Sequence, residues 1–130
     1  MKSLNLTEEQ LDFCQRYAAL IETINEALDY VAASFTDFEK TEGDVVLQDV
    51  IDAFAQIAQS HVTLEILFQE EEKMVETIEA FVLVVNEASM LDGNLADPTL
   101  MCSIITEGLT PTYHKWSEKM QKELQPYIVI

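Results

Sequence analysis

Apolar residues recur every three or four positions along most of this chain, which is the spacing of one face of an α-helix. The first such stripe follows Thr7-Glu8-Glu9-Gln10, a sequence with the form of a capping box. There, the threonine hydroxyl and the glutamine side chain can each satisfy a free backbone amide of the first turn. One long amphipathic helix is therefore predicted over about residues 7–34. Its apolar members are Leu11, Cys14, Ala18, Ile21, Leu28 and Phe35, widened by Tyr17, Ile24 and Val31.

Two further helices are predicted over about 44–62 and 68–91. A continuous helix from 44 to 91 would be about 70 Å long, at about 1.5 Å per residue, which exceeds the size of one small globule. We therefore expect a bend between 61 and 69, before an acidic run at 70–72 that suits the positive end of a new helix. Residues 80–85 are apolar all round, which predicts a helix in the centre of a bundle.

The last quarter of the chain contains most of the glycine and proline residues. Asp97-Pro98 is a favourable helix start and Gly108 a favourable helix end, which predicts a helix over about 98–107. Thr110-Pro111 repeats the start signal and Pro126 is expected to end a final helix over about 111–125. With no internal repeat or linker, the prediction is an all-α, single-domain bundle of four or five helices over residues 1–130.

Charge is distributed very unevenly along the chain. The net charge is −17, and residues 1–100 hold 21 of the 24 acids and four of the seven bases. Because 48% of the residues are apolar, this acidity indicates a folded protein with a negative surface rather than a disordered tail. Direct nucleic-acid binding is excluded by the same charge, since it repels phosphate.

The cysteines and the N-terminal residues indicate the cellular compartment of the protein. Cys14 and Cys102 lie at apolar helical positions, where we expect small buried hydrophobes rather than a disulfide. Residues 1–9 lack the apolar core of an export signal, and no run of residues has the length and apolarity of a membrane span. The sequence therefore predicts a cytoplasmic protein that does not interact with membranes.

The two histidines do not have the spacing of a di-iron site. That site requires an acid three residues before each histidine, and here those positions are alanine before His61 and proline before His114. Each histidine does have a glutamate one turn later, Glu65 and Glu118, and we interpret both as structural pairs. No cysteine and histidine spacing fits zinc, so we expect no cofactor and no metal.

One enzyme alternative rests on paired acids. Glu26-x-x-Asp29 and Glu76-x-x-Glu79 resemble the acidic motifs of MazG-type, all-α nucleotide pyrophosphohydrolases. That resemblance implies a Mg²⁺-dependent hydrolase in which these four carboxylates hold the metal. The two motifs occur in reversed order, and bases that could contact a triphosphate are scarce in residues 1–100, so the prediction is a protein that is not an enzyme.

Recognition of a protein partner with a basic surface is the remaining interpretation. An acidic field accelerates encounter with a basic partner, while affinity comes from apolar contact. In size, acidity and helical content the chain is similar in type to small export chaperones and adaptors; a second alternative is a nucleic-acid-mimicking inhibitor. A further possibility from the apolar pattern is a homodimer whose interface includes helix 68–91. The predicted docking residues are Phe35, Phe38, Tyr127, Ile128, Val129 and Ile130.

Overall fold

The computed structural model describes residues 5–37 and 39–128 and confirms the all-α fold class. The helices are α1 (Glu8–Ser34), α2 (Gly43–Leu67), α3 (Glu72–Glu79), α4 (Val82–Ser89), α5 (Pro98–Ser103), a π-helical segment (Ile104–Leu109) and α6 (Thr110–Ile128). Helix α1 packs against both α2 and α6, and α6 also packs against α3 and α4. Within the described ranges, no helix is long and apolar enough to cross a membrane.

The predicted capping box forms at the start of α1. The Gln10 amide donates to Thr7 Oγ1 at 3.1 Å, and the Thr7 amide donates to Gln10 Oε1 at 2.9 Å. Helix α1 then continues to Ser34, which confirms the prediction of a helix over 7–34. Its apolar stripe is buried as predicted from Cys14 to Val31.

The second helix is longer than the predicted range of 44–62, because α2 continues to Leu67. Val62 and Thr63 do not break it despite their β-branched side chains. Leu64 and Phe68 are completely buried and hold this end of α2 on the core, so burial overrides the weak local preference. The predicted bend exists, and it lies at Phe68–Glu71.

The predicted helix over 68–91 is wrong in two respects. The chain forms two short helices, α3 and α4, separated at Ala80–Phe81 by tighter bonds such as the Phe81 amide to the Ile78 carbonyl at 3.1 Å. It is also not a central helix, since only Phe81 and Val84 of the apolar stretch are buried. The tight turn places the Phe81 ring in the core and leaves Val82, Leu83 and Val85 on the surface.

The predicted helices over 98–107 and 111–125 are also corrected, because α5, the π segment and α6 follow one another without interruption. Gly108 does not end a helix and Pro126 lies inside α6. Pro111 cannot donate a backbone hydrogen bond, and in a regular α-helix its ring would clash with the carbonyl of Glu107. The chain widens just before this proline, where the Thr110 amide donates to the Ile105 carbonyl five residues earlier.

Polar side chains join α6 to its neighbours within an apolar core. The Tyr113 hydroxyl donates to the Ile21 carbonyl at 2.9 Å, and Trp116 Nε1 donates to the Thr77 carbonyl at 2.9 Å. Gln121 Nε2 donates to the Ala18 carbonyl at the same distance. These bonds satisfy the polar groups that burial of large aromatic side chains brings into the interior.

Candidate protein-docking surfaces

The acids proposed as metal ligands lie on the surface of two different helices. Glu26 and Asp29 are exposed on α1, whereas Glu76 and Glu79 are exposed on α3. Asp29 contacts a histidine of α6, His114, with 2.8 Å between Oδ1 and Nε2. Across residues 5–37 and 39–128, no three histidine, cysteine or acidic side chains are grouped closely enough to hold a metal ion.

His114 connects α6 to α1 and is not paired with Glu118 as the sequence suggested. Its Nδ1 lies 2.6 Å from Asn25 Oδ1, on the opposite side of the ring from Asp29. Ser117 Oγ also donates to Asn25 Oδ1, at 3.1 Å. Ser117 is buried, and its hydroxyl bonds to Asn25 and to the His114 carbonyl. It does not bond to the imidazole ring, as a serine activated by a histidine base would. His114, Ser117, Asn25 and Asp29 therefore form a contact between α1 and α6.

His61 is likewise not paired with Glu65 but lies in a buried aromatic cluster. The Tyr17 hydroxyl is 2.6 Å from Nε2, and the rings of Phe81 and Trp116 pack beside the imidazole, with centroids 5.1 and 5.8 Å away. Burial lowers the pKa of His61 from 6.5 to about 4, which keeps the ring neutral. The cluster therefore joins α1, α2, α6 and the turn between α3 and α4 in the core rather than forming an open site.

The two cysteines differ in exposure, and burial makes Cys14 a poor nucleophile. Cys14 is completely buried, as expected, and burial raises the pKa of its thiol to about 11. Cys102 is half-buried, and both cysteines are free. It lines a shallow groove of about 450 Å³ with Phe35 and Pro98.

The residues predicted to dock a partner are partly engaged by the bundle. Phe35, Tyr127 and Ile128 are half-buried and pack against the core. The Tyr127 hydroxyl donates to Glu71 Oε1 at 2.7 Å, and the Ile128 carbonyl accepts from Gln15 Nε2 at 3.3 Å. Phe38, Val129 and Ile130 lie outside the described residues, so the docking role of all six residues stays a prediction.

An apolar groove between α1 and α2 was not found from the sequence. It has a volume of about 310 Å³, and we call it the α1–α2 groove. Ile66 lines this groove and has 67% of its surface exposed, and Val62, one turn earlier on α2, is similarly exposed. Both lie off the buried stripe of α2, which is the signal that could have identified them. The lining residues are Glu9, Gln10 and Phe13 of α1 with Thr63, Ile66 and Leu67 of α2.

The surroundings of the α1–α2 groove are strongly acidic. Glu8, Glu9 and Asp12 of α1 and Glu65 of α2 lie within one residue of a lining residue, and the single base of these two helices is Arg16. That base is already paired, with 2.9 Å between its Nε and Asp12 Oδ2. The groove therefore combines exposed apolar side chains with a negative field.

A second apolar surface lies on α4. Its exposed apolar side chains are Val82, Leu83, Val85 and Met90, and we call these four residues the α4 surface. The adjoining α4–α6 groove has a volume of about 490 Å³, with Trp116 among its lining residues and Lys115 and Lys119 on its α6 side. Unlike the α1–α2 groove, this surface has little negative charge, since residues 80–91 contain one acid, Glu87, and no base.

The fold and these surfaces define an acidic all-α bundle with two separate apolar surfaces of different charge. The chain belongs to the family described as "Domain of unknown function (DUF8042)", whose model matches residues 12–119. It is similar to the "Uncharacterized protein YvzG" of Bacillus subtilis (strain 168), with 28% identity over 130 residues that cover 99% of each chain. No solved structure matches the chain significantly.

Proposed function

We propose that this protein is a cytoplasmic, non-enzymatic adaptor, chaperone or regulator that binds a protein partner in the α1–α2 groove. The observation that carries the proposal is the exposure of Ile66 beside Phe13 in a groove between two acidic helices. A groove between two helices is a common receptor for one face of an amphipathic helix. The expected ligand is therefore a partner helix with apolar anchors and a basic flank.

Charge and apolar contact have different roles in this interaction. The field of α1 and α2 accelerates encounter with a basic segment, and it weakens as salt screens it. Burial of Ile66 and of the opposing apolar side chains supplies affinity, which persists at higher salt. Binding that slows with added NaCl but is not abolished is the expected behaviour.

The test uses a photoactivatable amino acid in place of Ile66 in the native host, followed by identification of the cross-linked protein. The same group at Val45 is the control, because Val45 is also exposed on α2 but lies about 27 Å from Thr63 along the helix. A partner that carries a basic amphipathic segment should be captured from position 66 and not from position 45. Cross-linking that is equal at both positions, or no partner at either, contradicts the proposal.

Binding of the purified partner then separates the contribution of apolar contact from that of charge. Ile66→Ser should weaken binding by about tenfold, whereas Val45→Ser should not. Glu9→Lys should slow association more than Asp49→Lys, which makes the same change in net charge on an exposed position of α2 far from the groove. Affinity that is unaffected by Ile66→Ser would overturn the assignment of the groove.

A further inference from the structure

The α4 surface has a different charge environment from the α1–α2 groove and calls for a different occupant. A basic partner is drawn to α1 and α2, where ten acids face one base. It is not drawn to the side of α6 that carries Lys115 and Lys119. Both lysines are exposed, and neither forms an ion pair with another residue of the described ranges. Apolar contact with an acidic molecule is the interaction that this region favours.

We propose that the occupant of the α4 surface is a second copy of this chain, joined to the first by a two-fold axis. Each copy carries a net charge of −17, so two copies repel wherever acidic faces meet. The lining of the α4–α6 groove includes two lysines, Lys115 and Lys119, and one acid, Glu87, so apolar area coincides there with a local excess of one base. Helix α6 carries three lysines against two glutamates, so contact here brings fewer like charges together than contact through α1 and α2 would.

A two-fold contact also fits the arrangement of the residues. In such a contact the same patch is used by both copies, so it must be complementary to itself. Leu83 is exposed at the edge of the α4–α6 groove, while Lys115 and Lys119 lie on the α6 side of the same groove and Glu87 on the α4 side. Leu83 of each copy can thus enter the groove of the other, and each pair of lysines can approach the partner's acidic side chain.

This proposal is independent of the α1–α2 groove and predicts the opposite response to salt. Screening reduces the repulsion between two acidic chains, because the Debye length falls from about 10 Å at 0.1 M to about 3 Å at 1 M salt. Self-association should therefore strengthen by about threefold or more as NaCl is raised across that range. Attraction of a basic partner to the α1–α2 groove should weaken under the same conditions.

The experiment is sedimentation equilibrium on the full chain over a range of protein and NaCl concentrations. Wild-type protein is expected to dimerise, and Leu83→Glu to raise the dissociation constant by about tenfold or more, because a carboxylate would be buried against the partner. Val45→Glu is the matched control, since Val45 and Leu83 are both 57% exposed and the change in charge is identical. Circular dichroism establishes that each variant is folded.

A second pair of variants tests the contribution of charge. Lys115→Glu and Lys122→Glu alter the net charge equally, and both lysines are exposed on α6, but only Lys115 lines the α4–α6 groove. The dimer should be weakened more by Lys115→Glu. A wild-type protein that stays monomeric at high salt, or a dimer that is equally sensitive to substitution at Val45 and Leu83, overturns the proposal.

Discussion

Tyr17 of α1 and His61 of α2 are joined in the core by a hydrogen bond of 2.6 Å between the hydroxyl and Nε2. Burial raises the pKa of Tyr17, which keeps its proton, and lowers that of His61 to about 4, which keeps the ring neutral. The tyrosine hydroxyl therefore donates and the imidazole accepts. This bond depends on a neutral histidine, so it connects the stability of the bundle to pH.

The first prediction concerns that dependence. The pKa of His61 is lower in the folded chain, about 4 against 6.5 unfolded, so the unfolded chain binds more protons between these values. The contribution of neutral His61 to the free energy of unfolding is complete above pH 6.5 and is lost as pH falls toward 4. The maximum loss is about 3 kcal/mol. Urea titrations of wild type and His61→Gln between pH 6.5 and 4 measure this loss.

Comparison with His61→Gln is necessary because protonation of the surface acids relieves their mutual repulsion. This relief stabilises the folded chain as pH falls, whereas protonation of His61 destabilises it. Glutamine can still accept from Tyr17 but does not titrate. The difference in unfolding free energy between the two proteins should therefore narrow as pH falls. Parallel curves for the two proteins would show that His61 does not control the pH response.

The second prediction concerns two methionines of opposite environment. Met120 of α6 is completely buried, whereas Met90 of the α4 surface is 55% exposed. Met120→Ala should lower the free energy of unfolding by about 2–5 kcal/mol, because it leaves a cavity in the core. Met90→Ala should change it by less than about 0.5 kcal/mol, measured for the monomer at low protein concentration. Equal effects would contradict the packing described for α6.

The third prediction concerns the C-terminal residues. A chain that ends at Pro126 loses Tyr127, whose ring packs on Phe68 with centroids 5.0 Å apart, and also loses Ile128. Because both side chains are half-buried, we expect a loss of about 2 kcal/mol in the free energy of unfolding. A chain that ends at Ile128 keeps these contacts and is the control. An unchanged denaturation midpoint combined with lost binding of the partner would instead identify the segment as a docking element.

The fourth prediction tests the hydrolase alternative. If Glu26, Asp29, Glu76 and Glu79 held Mg²⁺, the ion would stabilise the folded chain and raise its melting temperature. We expect no difference between millimolar MgCl₂ and NaCl of the same ionic strength. A rise that is specific for Mg²⁺ and is removed by Glu76→Gln, but not by Glu22→Gln, would contradict the non-enzymatic proposal.

Local signals determined part of this fold. Thr7 and Gln10 cap α1 as predicted because a capping box is satisfied within one turn, and the regular spacing from Cys14 to Val31 predicts the buried face. Gly108 and Pro126 were wrongly predicted to end helices, because packing of a continuous helix against the core overrides the local preference of these residues for a break.

The candidate surfaces were harder to predict, for a related reason. The apolar stretch that contains Leu83 indicated complete burial, but the turn at Phe81 exposes one side of α4. Ile66, like Val62, lies outside the buried stripe of α2, and exposed apolar residues of this kind are common on surfaces. Its significance depends on Phe13, which α1 brings to the same groove from more than 50 positions earlier in the chain.

The π segment at Ile104–Leu109 determines how much variation in chain length the core can tolerate. Each residue of a regular α-helix rotates the chain by about 100°. If the six residues Ile104–Leu109 were regular α-helix, the helix that follows would be rotated about its axis relative to α5. Tyr113, Trp116 and Met120 would then no longer face the core. The wide turn absorbs one residue. A relative that is one residue shorter between 104 and 109 can thus keep the same buried faces with an ordinary helix, so a deletion of one residue at this place is compatible with an unchanged core.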